Sequence, residues 1–200
     1  MNKMAFKIFD LYDCDSVVIT DPALKRVINL TPKLILKSHG KLKGDFSKTK
    51  VNIVERLANL IGVPGHRGKK HKMMTSQASG KYSRNMNVVL DAFKIIEAKT
   101  KENPVQVLVK AIEKASPREE VTTIEYGGAK YPQAVDCSPS RRVSLTLRLL
   151  VHGAYDKTFN KKAKIAEALA NEIILASQES GDSAAVAKKN EMEKQANSAR

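Results

Sequence analysis

Residues 62–70 come closest, of all segments in this chain, to a phosphate-binding motif. A nucleotide-binding P-loop requires Gly, four intervening residues and then Gly-Lys-Ser/Thr. Here five residues separate Gly62 from Gly68, and Lys70 stands where the hydroxyl residue should be. We therefore interpret this segment as a basic loop that a partner orders, and we predict no nucleotide cofactor.

The candidate metal ligands form incomplete sets. His66 and His71 lie five residues apart but lack a Cys or an acid at zinc-ligand spacing. Asp10, Asp13 and Asp15 lack the glycine and the downstream Glu of a calcium loop. The local sequence also assembles no Ser-His-Asp or Cys-His constellation. We predict a protein without metal, cofactor or catalytic residues, and hence not an enzyme.

Positive charge is concentrated in the N-terminal half of the chain. The formal net charge is +14, and residues 22–90 contain 15 Lys and Arg against only Asp45 and Glu55, a balance of +13. A surface that serves only solubility usually mixes the two signs. A cationic block of this kind suits a polyanionic partner and the neutralisation of phosphates.

Other features predict a cytoplasmic protein without membrane contact. No apolar run reaches the roughly 18 residues that a membrane span needs. The first residues lead into three aspartates rather than into the apolar core of a signal peptide. Cys14 and Cys137 lie far apart without partners at metal-ligand spacing, so each is expected to be a reduced, buried thiol.

Hydrophobic periodicity indicates a mainly helical chain. Residues 51–61 show one short amphipathic helix, and packed helices are predicted from Lys81 onward. Asn103-Pro104 is a typical start, with an N-cap followed by proline, and Ser116-Pro117 ends that helix. Ser138-Pro139 is expected to start the next long helix.

Between these helices the hydrophobic pattern changes from a helical period to the two-residue period of a β-strand. Residues 121–126 are β-branched and aromatic, Gly127-Gly128 is a turn signal, and a second strand follows. Beyond the next long helix, Asn160 is predicted to cap a further helix through Ile173, before a polar tail at residues 184–200. The predicted fold class is mainly α. It is a helical bundle (residues 51–200) with one protruding β-hairpin at about 119–136 and a basic, partly irregular N-terminal extension (residues 1–50).

The helix after Ser138 carries charge opposite its apolar stripe. At about 100° per residue, Val143, Leu147 and Leu150 share one face, and Arg141 and Arg148 fall almost opposite. A solvated helix face would show the same pattern. Together with the cationic block, this face favours contact with RNA.

Residues 103–112, which read Asn-Pro-Val-Gln-Val-Leu-Val-Lys-Ala-Ile, and the following Pro117-Arg118-Glu119 resemble a known family. It is the small-subunit ribosomal protein numbered seven in bacteria and five in eukaryotes. Tyr126-Gly127-Gly128 is similar to the family's hairpin, and residues 134–143 are similar to the segment after it. Residues 54–57 and the closing Ser-Ala-Arg are similar to the archaeal and eukaryotic branch. The resemblance covers roughly residues 50–200.

The resemblance implies a structural constituent of the small ribosomal subunit. The family's helical bundle binds the 3′ major domain of the small-subunit rRNA and nucleates assembly of the subunit head. Its hairpin lies near the exit-site tRNA and the mRNA exit path. Neighbouring ribosomal proteins of the head, exit-site tRNA and mRNA are therefore expected partners.

The basic residues predicted to bind rRNA belong to the cationic block, to the Pro-Arg-Glu motif and to the helix after Ser138. They are Lys33, Lys37, Lys41, Lys43, Arg67, Lys69, Lys70, Lys72, Lys81, Arg84, Arg118, Arg141, Arg142 and Arg148. The hairpin residues predicted to lie near tRNA or mRNA are Tyr126, Gly127, Gly128, Lys130 and Tyr131.

Two other classes of protein remain as alternatives. DNA-architectural proteins also combine basic helices with β-arms, although such arms usually carry an apolar or Pro wedge at the tip. Here the tip is Gly127-Gly128-Ala129-Lys130. An RNA-modifying enzyme is the second alternative, but it would need a cofactor loop or an acid/base cluster.

Overall fold

The computed structural model describes residues 7–33, 35–38, 44, 47–64 and 81–200. Within them the chain forms seven α-helices, one short 3-10 helix and one two-stranded antiparallel hairpin. The predicted class, a mainly α bundle with a β-hairpin, is confirmed.

The bounds of the helices and strands, in chain order, are as follows. The α-helices are α1 (Pro22–Lys25), α2 (Ile53–Ile61), α3 (Tyr82–Thr100), α4 (Pro104–Ala115), α5 (Pro139–Thr158), α6 (Ile165–Ser177) and α7 (Ala184–Ser198). The strands are β1 (Glu119–Tyr126) and β2 (Ala129–Asp136), and the 3-10 helix is Ser47–Lys50.

The predicted capping residues begin their helices as expected. The side chain of Asn103 accepts from the Val105 amide, and Ser138 accepts from the Arg141 amide, each directly before a proline. Such caps satisfy amide groups that have no partner within the helix. Helix α4 ends at Ala115, before Ser116-Pro117, because proline disfavours helical backbone at the preceding residue.

Helix α6 lies at the centre of the bundle. It packs against α3, α4 and α5, and its apolar side chains are buried on more than one side. Phe93, Leu108, Leu147, Leu169 and Ile173 are among the fully buried side chains of this core. The core is largely aliphatic, and it fixes the relative positions of the helices that carry the basic residues.

The N-terminal segment packs against α3 and α4. Buried Tyr12 meets Phe93 edge to face at 5.8 Å between ring centroids. The Val18 amide donates to Gln106 Oε1 at 2.8 Å, and the amides of Thr20 and Asp21 donate to one Glu113 carboxylate oxygen. The described residues before α2 thus share the core of the bundle.

Two predictions about the C-terminal third were wrong or incomplete. Asn160 does not cap α6, which starts at Ile165 after Lys164. Asn160 has φ 56° just beyond the end of α5. Asparagine tolerates this left-handed conformation, which often terminates a helix. The polar tail forms α7, whose N-cap is Ser183.

The hairpin spans the predicted residues. Strand β1 pairs with β2 from Glu119 opposite Asp136 to Tyr126 opposite Ala129. Gly127 and Gly128 form the turn with φ 59° and 81°, values that side chains disfavour and glycine adopts readily. From residue 121 to residue 133 every hairpin residue is exposed, so the hairpin projects from the bundle.

Candidate nucleic-acid interface

Several predicted RNA-binding cations meet at the start of α3. The Lys37 ammonium lies 5.4 Å from the centre of the Tyr82 ring, and the Tyr82 hydroxyl donates to the Leu36 carbonyl. These contacts hold the segment 35–38 against the helix start that carries Lys81 and Arg84. Lys37, Lys81 and Arg84 are all exposed, and we call them the α3 corner. Lys33, also exposed, precedes this segment.

The electrostatics of the α3 corner favour an anion. The first turn of α3 contains no acidic residue, and its N-cap, Lys81, makes no capping side-chain bond. A helix N-terminus carries partial positive charge, so three cations there attract phosphate. Glu55 is buried near this corner, where its carboxylate accepts the Ser38 amide at 2.7 Å and forms no ion pair with these three cations.

Tyr82 keeps its proton at neutral pH. Burial, helped by the charge of Glu55, raises the pKa of the Tyr82 hydroxyl to about 12. A protonated hydroxyl is needed to donate to the Leu36 carbonyl. The bond that joins the 35–38 segment to α3 is therefore present throughout the physiological pH range.

A groove runs between α2 and α5 and contains Arg148. One cavity of about 210 Å³ is lined by Lys48, Val51, Arg56, Asn59, Leu60, Ser144, Leu147 and Arg148. A second of about 250 Å³ is lined by Leu60, Val63, Arg148, Val151 and His152. The two share Leu60 and Arg148, and we call them together the α2–α5 groove. Arg148 is exposed, as predicted from its helix face, and forms no ion pair with any acid in the described part of the chain.

Arg56 is a residue of the groove wall that sequence analysis missed. Its guanidinium is buried in the wall of the groove, donating to Ser144 Oγ at 3.0 Å and to the Val27 carbonyl at 3.5 Å. Burial lowers the pKa of Arg56 below its ordinary value. The available signal was an arginine inside the apolar α2 pattern, where a charged side chain needs partners.

Arg141 and Arg142 lie at the root of the hairpin and have partners inside the protein. Arg141 is exposed and pairs with Glu120 of β1 at 2.5 Å. Arg142 is only 8% exposed, and it pairs with Asp21 at 2.9 Å and donates to Ser116 Oγ at 3.0 Å. These contacts account for Arg142 as a bridge between α5 and the N-terminal segment, so we leave it outside the proposed interface.

The pKa of the Asp21 carboxyl is lowered in the folded protein. Burial raises its pKa, but the Ala23 amide and the hydrogen bond and charge of Arg142 outweigh burial, so the pKa lies below its ordinary value. The ionised pair is the stable form at neutral pH. Its contribution is lost as pH falls through that depressed pKa.

Helix α7 and the residues that follow it also brace the hairpin root. Glu193 accepts the Arg118 amide at 3.0 Å, and Arg200 pairs with Glu119 of β1. The Arg118 side chain itself is exposed and lines a cavity of about 460 Å³ with Lys114 and Arg142. Arg118 thus remains available to a partner, while its backbone fixes the strand that follows.

The start of α7 is anchored by a buried carboxylate. Glu172 of α6 is fully buried, accepts from Ser183 Oγ at 2.8 Å and from the Ala185 amide at 3.2 Å, and pairs with Lys157 at 2.6 Å. Every carboxylate oxygen thereby has a donor, as a buried charge requires.

The exposed aromatic side chains of the hairpin share one face. Tyr126 is 82% exposed and Tyr131 58%. The register pairs Tyr131 with Ile124 and Tyr126 with Ala129, so both tyrosines and Ile124 project to the same side. The tyrosines are therefore not direct cross-strand partners. Lys130 pairs with Glu125 on the opposite face.

Part of the predicted interface lies outside the described residues. It comprises Lys41, Lys43, Arg67, Lys69, Lys70 and Lys72. The partner-ordered loop predicted around residues 62–70 falls mostly in the same gap.

The thiols have the predicted form: Cys14 and Cys137 are both free and buried. Burial raises the pKa of each to about 11, with nearby acids adding to the effect, so both stay protonated at neutral pH. Among the described residues, no three His, Cys, Asp or Glu side chains come together in a way that could hold a metal ion. None of the helices in those ranges has the length and apolar character to cross a membrane.

Comparison with known sequences identifies the family. The sequence profile described as Ribosomal protein S7p/S5e matches residues 25–200. The small ribosomal subunit protein uS7 of Nanoarchaeum equitans is 50% identical over 198 residues, covering 98% of this chain and 100% of the relative. The uS7 protein of Methanosphaera stadtmanae is 45% identical, and the match covers 98% of this chain and 100% of the relative. The uS7 protein of Archaeoglobus fulgidus is 47% identical, and the match covers 96% of this chain and 94% of the relative. The similarity therefore extends further toward the N-terminus than residue 50, and the chain belongs to the ribosomal protein S7p/S5e family, of the archaeal type.

Proposed function

We propose that this chain, a structural and non-enzymatic protein of the small ribosomal subunit, binds the 3′ major domain of the small-subunit rRNA and nucleates assembly of the head. Family membership supports the ribosomal role, and we place the protein in the cytoplasmic ribosome beside other ribosomal proteins. Family membership also argues against the two alternatives, a DNA-architectural protein and an RNA-modifying enzyme.

The observation that carries the rRNA proposal is the unpaired charge around α2. The α3 corner lies at the start of α3 and Arg148 lies on α5, and α2 packs against both helices. Their cations are exposed and have no acidic partner within the described ranges. Phosphates of an RNA backbone would supply the missing negative charge.

Binding to an isolated rRNA fragment tests this proposal. The protein should bind a 3′ major domain fragment, and log affinity should fall steeply as log salt concentration rises, because several phosphates release their counterions. A duplex DNA of equal length is the matched competitor. Equal affinity for both nucleic acids, or a nearly flat salt dependence, would contradict specific rRNA recognition through this charge.

We further propose that the hairpin contributes to the exit-site tRNA and mRNA exit region. Tyr126, Tyr131 and Ile124 offer an exposed apolar face that has no role in the core, and aromatic faces can stack on unpaired bases. Gly127 and Gly128 keep the tip narrow, and Lys130 can approach phosphate.

Paired substitutions separate this hairpin role from rRNA binding. The double variant Tyr126→Ala, Tyr131→Ala should still fold, bind the rRNA fragment and enter small subunits. Those subunits should then retain exit-site tRNA poorly. Thr123→Ala, on the opposite hairpin face, is the control and should behave as wild type. Normal tRNA retention by the tyrosine variant would overturn the proposed role of the hairpin.

A further inference from the structure

The α2–α5 groove has apolar walls and a cationic rim. Leu60, Leu147 and Val151 form apolar walls, while the exposed Lys48 and Arg148 stand at the edge. No acidic side chain is among the described residues that line either cavity. A ligand for this groove therefore has an apolar or aromatic part that enters it and a negatively charged part that remains at the rim.

Polar groups in the wall add hydrogen-bonding capacity. The Asn59 amide offers both a donor and an acceptor, and Ser144, whose oxygen accepts from buried Arg56, keeps its own hydroxyl hydrogen to donate. An aliphatic side chain would leave these groups unused. A nucleobase edge, which carries donors and acceptors around an aromatic ring, would use them.

We propose that the α2–α5 groove receives one unstacked nucleobase of the rRNA, which stacks on the Arg148 guanidinium while the adjoining phosphate meets Lys48. Arg148 lines both cavities, and the planar guanidinium of arginine stacks well on aromatic rings. The base comes from a loop or bulge, because extracting a paired base costs additional free energy. This inference rests on the proposed rRNA binding and specifies one of its sites.

Abasic scanning of the rRNA fragment combined with a filled groove tests the site. Single nucleotides are replaced by abasic residues, and affinity is measured for wild type and for Asn59→Trp, whose indole enters the groove from an exposed position. At one position, base removal should weaken wild-type binding about tenfold or more. The same removal should change binding of Asn59→Trp by less than about twofold, since its groove is already filled. Asn190→Trp, exposed on α7, is the matched control and should respond as wild type.

Arg148→Lys provides a second variant that keeps the charge but lacks the planar stacking surface. It should lose most of the discrimination between the intact and the abasic fragment. If Asn59→Trp fails to fold, Arg148→Lys tests the site in its place. If wild type does not bind the intact fragment, the proposed function itself fails. If wild type binds but no single base removal weakens it, or if base removal weakens Asn59→Trp as much as it weakens wild type, only the base-binding groove is overturned. A groove that instead takes a side chain of a neighbouring ribosomal protein would also leave abasic scanning without effect.

Discussion

The hairpin root and the surface around α2 use positive charge in opposite ways. At the root, Arg141, Arg142 and Arg200 each pair with an acid of this chain. Around α2, the α3 corner and Arg148 have no acidic partner within the described ranges. The root cations therefore fix the fold, whereas those around α2 remain available to bind an external anion. A count of basic residues does not reveal this difference.

The largest expected effect comes from removing the buried cation of the root. Arg142→Ala should lower the free energy of unfolding by about 2 to 3 kcal/mol, because Asp21 loses its cationic partner and Ser116 loses the hydrogen bond from Arg142. The value is below the usual cost for fully buried pairs because Asp21 keeps 24% of its side chain exposed. Arg148→Ala is the control on the same helix and should stay within about 0.5 kcal/mol. Similar losses from both, measured by chemical denaturation, would remove the distinction between the two regions.

The same pair predicts a pH dependence. The pKa of Asp21 is depressed in the folded protein, so its stabilisation is present above the unfolded value of about 4 and disappears as pH falls through the folded value. Wild type should therefore lose more stability than Arg142→Ala between neutral pH and acidic pH. Parallel stability curves for the two proteins would show that the pair contributes nothing.

The anchoring of α7 can be disturbed from α5. A Cβ at Gly153 would lie 2.8 Å from Ala184 Cβ and 3.0 Å from Glu172 Cδ, so Gly153→Ala must displace the start of α7. We expect a loss of about 2 kcal/mol in thermal or chemical unfolding. Gly181→Ala is the control, since a Cβ there meets nothing within 4 Å. An unchanged stability of Gly153→Ala would mean that α7 adjusts without loss and does not brace the root rigidly.

Two triple variants with the same charge change compare free with paired cations. The first variant replaces Lys37, Lys81 and Arg84 by Ala and should weaken rRNA binding about tenfold. The slope of log affinity against log salt concentration should become shallower by about one for each phosphate contact that is lost. The control replaces Lys110, Lys114 and Lys188 by Ala. These lysines pair with Glu102, Glu179 and Glu191, so the control should lose less affinity. Equal losses in filter binding would mean that net charge alone matters.

The smallest effect is expected at Arg141. Its ion pair with Glu120 is exposed, so Arg141→Ala should cost about 0.2 to 1 kcal/mol of stability. Because Glu120 already neutralises this cation, rRNA affinity should fall less than for Arg148→Ala. An Arg141→Ala variant that loses more affinity than Arg148→Ala would show that RNA displaces Glu120 and recruits the root as well.

Local signals predicted the elements where short-range chemistry decides the structure. The caps at Asn103 and Ser138 and the Gly127-Gly128 turn each depend on a few neighbouring residues, and all three appear where expected. The prediction failed at Asn160, because asparagine serves both as an N-cap and in the left-handed conformation after a helix. Only the packing of α5 and α6 selects between those uses.

The sequence by itself determined the helical class, the position of the hairpin, the family and the excess of positive charge. Tertiary structure decided which cations face outward. Arg142 and Asp21 lie 121 residues apart in the chain, and Arg56 reaches Ser144 across 88 residues. No periodicity within one element encodes such pairings. They depend on how the helices pack around α6, and a charge that finds its partner there is no longer available to RNA.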